Sequence, residues 1–146
     1  MDVQAVSDKL EIHELLARYA RGVDDKAWDV YRSVFTADAS IDYSSAGAIS
    51  GTVDEVVAFF SVAFTAIPWT QHYITNIEID LDGDSASARA MFYNPMQLPG
   101  MDEPSFCGGF YHHDLVRTPD GWRSRRLVEE NRWFLNPMPG MGGAQA

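Results

Sequence analysis

The feature that most constrains this chain is a change of hydrophobic period near its middle. Up to residue 67 the apolar side chains recur every three or four positions, and from residue 71 onward they alternate. The first pattern belongs to helices with one buried stripe, the second to strands with one buried face. Leu10, Ile12, Leu15, Leu16, Tyr19 and Val23 form a helical stripe over Val6–Val23, with Lys9, Glu11, Glu14 and Arg18 between them. Ser7 or Asp8 can cap its start, and Gly22 loosens its end. Asp25 is placed to cap a short second helix carrying Trp28, Tyr31 and Phe35 on one face. After a polar break over 36–39, Ser40–Tyr43 reads as a strand and residues 44–51 as a Ser-, Ala- and Gly-rich loop. Thr52-Val-Asp-Glu55 reads as a capping box opening a third helix, which Ile67-Pro68 ends. Four strands follow: Gln71–Leu81, Ser85–Met96, Phe106–Arg117 and Trp122–Phe134. Helices followed by an antiparallel meander specify an α+β fold, with the N-terminal helices packed on one face of a curved sheet.

Length and charge narrow the function classes. At 146 residues one domain spanning 1–146 is expected, its Pro-, Gly- and Met-rich tail over about 136–146 mobile and able to act as a lid. Twenty-one acidic residues against 11 basic ones give a net charge of -10, which repels phosphate backbones and anionic lipid. Nucleic acid and membrane are therefore excluded as expected partners. The lone Cys107 can form neither an internal disulfide nor a cysteine metal cage, and it fits a reducing compartment. No basic, apolar leader opens the chain, and the longest apolar run, Val56–Phe64, is too short to span a bilayer. A cytoplasmic location is the expectation.

Strand parity and helix position single out a few polar residues. Ile77, Ile79 and Leu81 alternate as a buried face, so strict parity puts His72 and Ile74 on the other side. If His72 is inside, a bulge must fall near Thr75-Asn76; parity leaves both placements open. Asp24 follows the buried Val23 and, unlike Asp25, has no capping role to explain it. A carboxylate there is costly unless paired, and His72 is the partner of choice. Such a carboxylate fixes the imidazole tautomer and leaves the second ring nitrogen as a general base. His112 and His113 are adjacent in a strand and point to opposite faces, so they cannot share a metal. His112 can look into a cavity or stand as a core or surface histidine; His13 lies off the apolar stripe and reads as solvated. A metal site on Asp24, His72 and His112 has no ligand spacing behind it, and no phosphate-loop, dinucleotide or serine-nucleophile motif occurs. Gly108-Gly109 reads as a bend in a strand.

Gly22-Val-Asp-Asp-Lys-Ala-Trp28, Gln71-His-Tyr-Ile-Thr-Asn76, Gly108-Gly-Phe-Tyr111 and Asp120-Gly-Trp122 together resemble the SnoaL-like branch of the nuclear transport factor 2-like superfamily. The likeness runs from about Val6 to Phe134 and, within that branch, is to scytalone dehydratase and γ-hexachlorocyclohexane dehydrochlorinase. The resemblance implies a cone-shaped, curved antiparallel sheet with helices closing its wide side around an apolar cavity. It implies no cofactor and no metal, a small hydrophobic or polycyclic substrate, and a homodimer or homotrimer formed through the open sheet face. By residue it implies a catalytic Asp24–His72 pair with Tyr43 assisting a leaving group. It further implies a substrate pocket of Tyr19, Trp28, Asn94, Met96, Phe110, His112, Arg125 and Phe134. Val23, Tyr19 and Leu127 depart from residues of the two enzymes, so the proton-abstracting half is kept and the leaving-group half altered. The expected function is a lyase of the dehydratase type. An isomerase or polyketide-cyclase type enzyme using the same pair is the alternative, as is a non-catalytic binding or assembly module. A catalytic reading requires Asp24 and His72 within about 2.6–3.2 Å on an enclosed pocket.

Overall fold

The computed structural model describes residues 2–140. In chain order the elements are α1 (Val3–Asp24), α2 (Trp28–Arg32), β1 (Phe35–Asp42), a 3-10 turn at Ser44–Ala46, β2 (Ser50–Thr52) and α3 (Val53–Ala63). A 3-10 turn at Phe64–Ala66 leads to β3 (Trp69–Thr70), β4 (Tyr73–Asp82), β5 (Ser85–Gln97), β6 (Ser105–Thr118) and β7 (Gly121–Leu135). The strands form one sheet in the order β2-β1-β7-β6-β5-β3, with β4 also pairing β5. The helices precede the long strands, so the α+β class holds. One pair departs from the antiparallel expectation: β1 runs parallel to β7, which makes the sheet mixed. The helical segment that follows β1 carries the chain away, and it returns through the meander to lay β7 alongside β1 in the same direction. Residues 36–39 belong to β1 but fall where its ladder to β7 skips, between Phe35↔Ser124 and Ser40↔Arg126.

Bulges curve the sheet. In β4 the register jumps between Thr75 and Glu78, and Asn76 is left-handed at φ 49°. In β7 one residue is skipped twice: Arg132, between the pairs Gly108↔Trp133 and Gly109↔Asn131, and Arg125, between Asp114↔Arg126 and Leu115↔Ser124. The glycine pair sits at the first of these. A Cβ on Gly108 would come within 2.5 Å of the Trp133 ring, and one on Gly109 would strike the Glu130 carbonyl.

Helix ends differ from the sequence reading. Asp2, not Ser7 or Asp8, caps α1, accepting from the Ala5 N–H at 2.7 Å. Asp8 is instead buried one face inward, where the Arg117 guanidinium grips both its oxygens at 2.7 and 2.9 Å and the Trp122 indole N–H donates at 3.1 Å. That contact ties α1 to the β6–β7 hairpin. Asp25 caps no second helix: it closes α1, and α2 starts after Ala27 with no side-chain cap. Gly22 lies within α1, where its bare Cα lets the Tyr31 backbone of α2 pack against it. Thr52 does cap α3, accepting from the Glu55 N–H at 3.2 Å. Ile12, Leu15, Tyr31, Ile41, Val56, Phe92 and Leu127 form the core between helices and sheet. No helix among the described residues is long and apolar enough to cross a membrane.

Candidate active site

The last turn of α1 delivers Asp24 to the chain just before β4. Asp24 Oδ2 accepts the His72 backbone N–H at 2.8 Å, and Oδ1 accepts both the Thr70 hydroxyl at 2.8 Å and His72 Nδ1 at 2.6 Å. Burial pushes the Asp24 carboxyl upward, yet the hydrogen bonds from His72 and Thr70 outweigh it and hold the group below the usual carboxylate range. An ionised carboxylate can only accept, so the network assigns the proton to Nδ1 and leaves the lone pair on Nε2. The His72 side chain is 7% exposed and lines a cavity of about 610 Å³. His72 reaches that side because the β4 bulge inverts the parity set by Ile77, Ile79 and Leu81.

The cavity is mostly apolar, with walls from Phe60, Phe64, Met96, Leu98 and Phe134 and a rim that includes Met138, Pro139 and Gly140. No lysine or arginine lines it among the described residues. Tyr19 and Tyr43 line it too, and the Tyr43 hydroxyl lies 2.7 Å from those of both Tyr19 and Tyr31. Burial raises all three phenols well above their ordinary value, so they stay protonated. The chain of hydroxyls runs on from Tyr19 to Tyr111, and from Tyr111 to Glu129.

A second polar group was not singled out by the sequence reading. Glu129 on β7 lines the same cavity, is 8% exposed, and leaves Oε1 buried with no hydrogen-bond partner. Burial pushes its carboxyl up to about 8; a hydrogen bond with Tyr111 opposes this and nearby Asp42 adds to it. Asn94 and Cys107, a register pair on β5 and β6, also line the cavity. Burial pushes the Cys107 thiol up to about 12, so it is no thiolate nucleophile near neutrality. Glu129 shares the parity of the buried Leu127 and Asn131, and that alternation is the signal that points inward for a charged residue.

The expected pocket residues divide. Tyr19, Tyr43, His72, Asn94, Met96 and Phe134 line the cavity, and Asp24 stands behind His72. Trp28, Phe110, His112 and Arg125 do not line it. Trp28 packs its ring against Tyr31, Phe60 and Phe64, behind the wall. His112 points away from the core, 3.0 Å from Glu130, because its neighbour His113 takes the inward position, beside Ser124 at 2.9 Å. Phe110 shares the outer face, with the Arg89 guanidinium 3.7 Å above its ring. Arg125 is the unpaired bulge residue and is exposed, so it leaves the parity of Leu127. The tail expectation is only partly covered: 136–140 are described, reaching the cavity rim, and 141–146 lie outside the described residues.

This geometry has relatives. A protein of Mycobacterium tuberculosis H37Rv with no characterised function is 40% identical over 130 residues, covering 88% of each chain. Two crystal structures share the fold: a provisionally assigned scytalone dehydratase from Novosphingobium aromaticivorans and a hexachlorocyclohexane dehydrochlorinase from Novosphingobium barchaimii. The first has a TM-score of 0.84 at 16% identity, covering 94% of this chain and 92% of that one. The second has a TM-score of 0.80 at 17% identity, covering 96% of each. At such identities the likeness is one of fold. The SnoaL-like domain model matches residues 4–128, nearly the whole of the helices and sheet just described, and the chain belongs to the SnoaL-like family.

Proposed function

We propose that this protein is a cofactor-independent lyase, removing water or a comparable leaving group from a small, uncharged, hydrophobic substrate. The observation that carries the reading is the 2.6 Å contact between His72 Nδ1 and Asp24 Oδ1 beside an apolar cavity. With Nδ1 committed to Asp24, Nε2 takes the proton from a carbon made acidic by an adjacent electron-withdrawing group, and Asp24 steadies the imidazolium that forms. Tyr43 and Tyr19, protonated phenols on the cavity wall, can pass a proton to the departing oxygen. A positioned base contributes about 10²–10⁴-fold, and orientation in a dry cavity adds to it. The two fold neighbours bear the names of a dehydratase and a dehydrochlorinase, both eliminations, which supports this class over others.

The test is a screen of uncharged carbonyl-bearing alcohols and halides, followed by mass spectrometry of the product. Loss of one water or one hydrogen halide is the expected result, and an isobaric product assigns the same pair to isomerisation or cyclisation instead. His72→Ala and Asp24→Asn should each lower kcat by about 10²–10⁴ with the fold intact by circular dichroism. Turnover that survives both rejects the Asp–His base. The same reading includes a homo-oligomer. Tyr73, Tyr93 and Trp133 form an aromatic row on the sheet face turned away from the cavity, each at least 40% exposed. Tyr93→Lys is expected to shift the sedimentation coefficient towards that of the monomer.

A further inference from the structure

Burying a polar group without a partner is costly, and folded proteins rarely leave one so. This chain does it repeatedly in one region. Glu129 Oε1, Asn94 Oδ1 and both amide atoms of Asn131 are buried and have no hydrogen-bond partner. The three side chains are 8%, 8% and 5% exposed. They lie on the inner parity of β5 and β7, around Cys107 on the strand between them. Apolar side chains there would close the core at no such cost. Asn131 faces the Cys107 thiol inside the core, whereas Glu129 Oε1 and Asn94 Oδ1 belong to side chains on the cavity wall, where an entering molecule meets them.

The chemistry of the cluster restricts what that is. No lysine or arginine among the described residues lines the cavity, so a carboxylate or phosphate would arrive without a fixed counter-charge. Burial keeps the Glu129 carboxyl protonated up to about pH 8, which makes it a donor as well as an acceptor. Asn94, on the same wall, offers an acceptor oxygen. We propose that Glu129, with Asn94 beside it, is the subsite that grips an uncharged oxygen substituent, a ketone or hydroxyl, of the substrate. This rests on the reading of the cavity as the place where His72 works, and it adds the group that receives the oxygen. When His72 removes a proton next to the carbonyl, the electron pair of the C–H bond moves into the enolate and the charge develops on that oxygen. A hydrogen bond from Glu129 strengthens as it does so, while the proton stays on the carboxyl.

The test uses the full-length chain and 1-tetralone, an uncharged bicyclic ketone, labelled with carbon-13 at its carbonyl. Infrared difference spectra should show the bound carbonyl stretch at lower frequency than in hexane. Glu129→Leu should abolish that shift and weaken binding about tenfold or more, whereas Glu129→Gln, which keeps an N–H donor, should retain most of it. In the free protein a protonated-acid C=O band should be present near neutrality, absent in Glu129→Gln, and lost on titration through about pH 8. The anion 1-naphthoate should bind about tenfold or more weakly than the ketone. Glu129→Leu takes the carboxyl away from the Tyr111 hydroxyl, whereas Glu129→Gln keeps a polar partner there; melting curves check that both variants fold. His72→Ala should leave the carbonyl shift intact, so a failure of the Asp–His base and a failure of this subsite read out separately. An identical carbonyl stretch in wild type and Glu129→Leu overturns the proposal, and so does naphthoate binding as tight as tetralone binding. Absence of saturable ketone binding also overturns it.

Discussion

Asn76 stands in the left-handed region at φ 49°, four residues after His72, and the extra residue it introduces into β4 is what turns His72 towards Asp24. Asparagine tolerates that conformation, and a β-branched residue does not. Asn76→Gly should therefore keep both the melting temperature and the activity near wild type. Asn76→Val should cost about 1–2 kcal/mol and lower kcat, because relaxing the bulge moves His72 off the cavity wall. Paired denaturation curves and kinetics check both; equal kcat for Val and Gly would show that the bulge does not set the histidine.

Gly22 holds Asp24 in place from the other side. A Cβ at Gly22 would sit 2.7 Å from the Tyr31 backbone nitrogen and 2.9 Å from its Cα, neither of which is a flexible side-chain end. Gly22→Ala should destabilise by about 1–3 kcal/mol. It should also reduce turnover more than a surface change of equal stability cost, since the last turn of α1 that it displaces carries Asp24. Urea titration alongside kinetics reads both effects.

Two buried groups give opposite slopes to stability against pH. Glu129 titrates at about 8 folded and near 4.5 unfolded, so the folded state binds the extra proton between those values. Stability from this group is full below about pH 4.5 and falls as pH rises to about 8. Glu129→Gln should remove that fall, gaining on wild type across the window. His113, held neutral by burial and by the neighbouring His112, titrates at about 3 against 6.5 unfolded. Its contribution is full above about 6.5 and is lost as pH falls towards 3. His113→Gln should flatten that acid limb. Melting temperatures at matched ionic strength across both windows provide the measurement.

The Asp8–Arg117 contact joins the first helix to the last hairpin, and the Arg117 guanidinium holds the Asp8 carboxyl below the usual range. Asp8→Asn and Arg117→Gln should each lower the melting temperature. The double variant should lose less than the sum, because either single change already breaks the shared contact, while Asp84 still holds the Arg117 guanidinium when Asp8 is changed. Strict additivity in a double-mutant cycle would show that the pair does not act as a unit.

The sequence by itself determined the order of helices and long strands, the capping of α3, and the alternation of the strands after residue 71. Those depend on the period of apolar side chains and on local capping chemistry, both written in neighbouring residues. Asp24 and His72 were legible as a pair because a carboxylate beside Val23 lacks any local partner. Only the tertiary structure decided which face His72 takes, since a single extra residue in β4 inverts everything upstream of it. The same holds for Arg125, which a bulge in β7 sends outward, and for His112, displaced from the interior by His113. The parallel pairing of β1 with β7, the Asp8 ion pair and the burial of Glu129 against Tyr111 join residues distant in the chain. No local period encodes such meetings, because they are set by how the curved sheet closes on the helices.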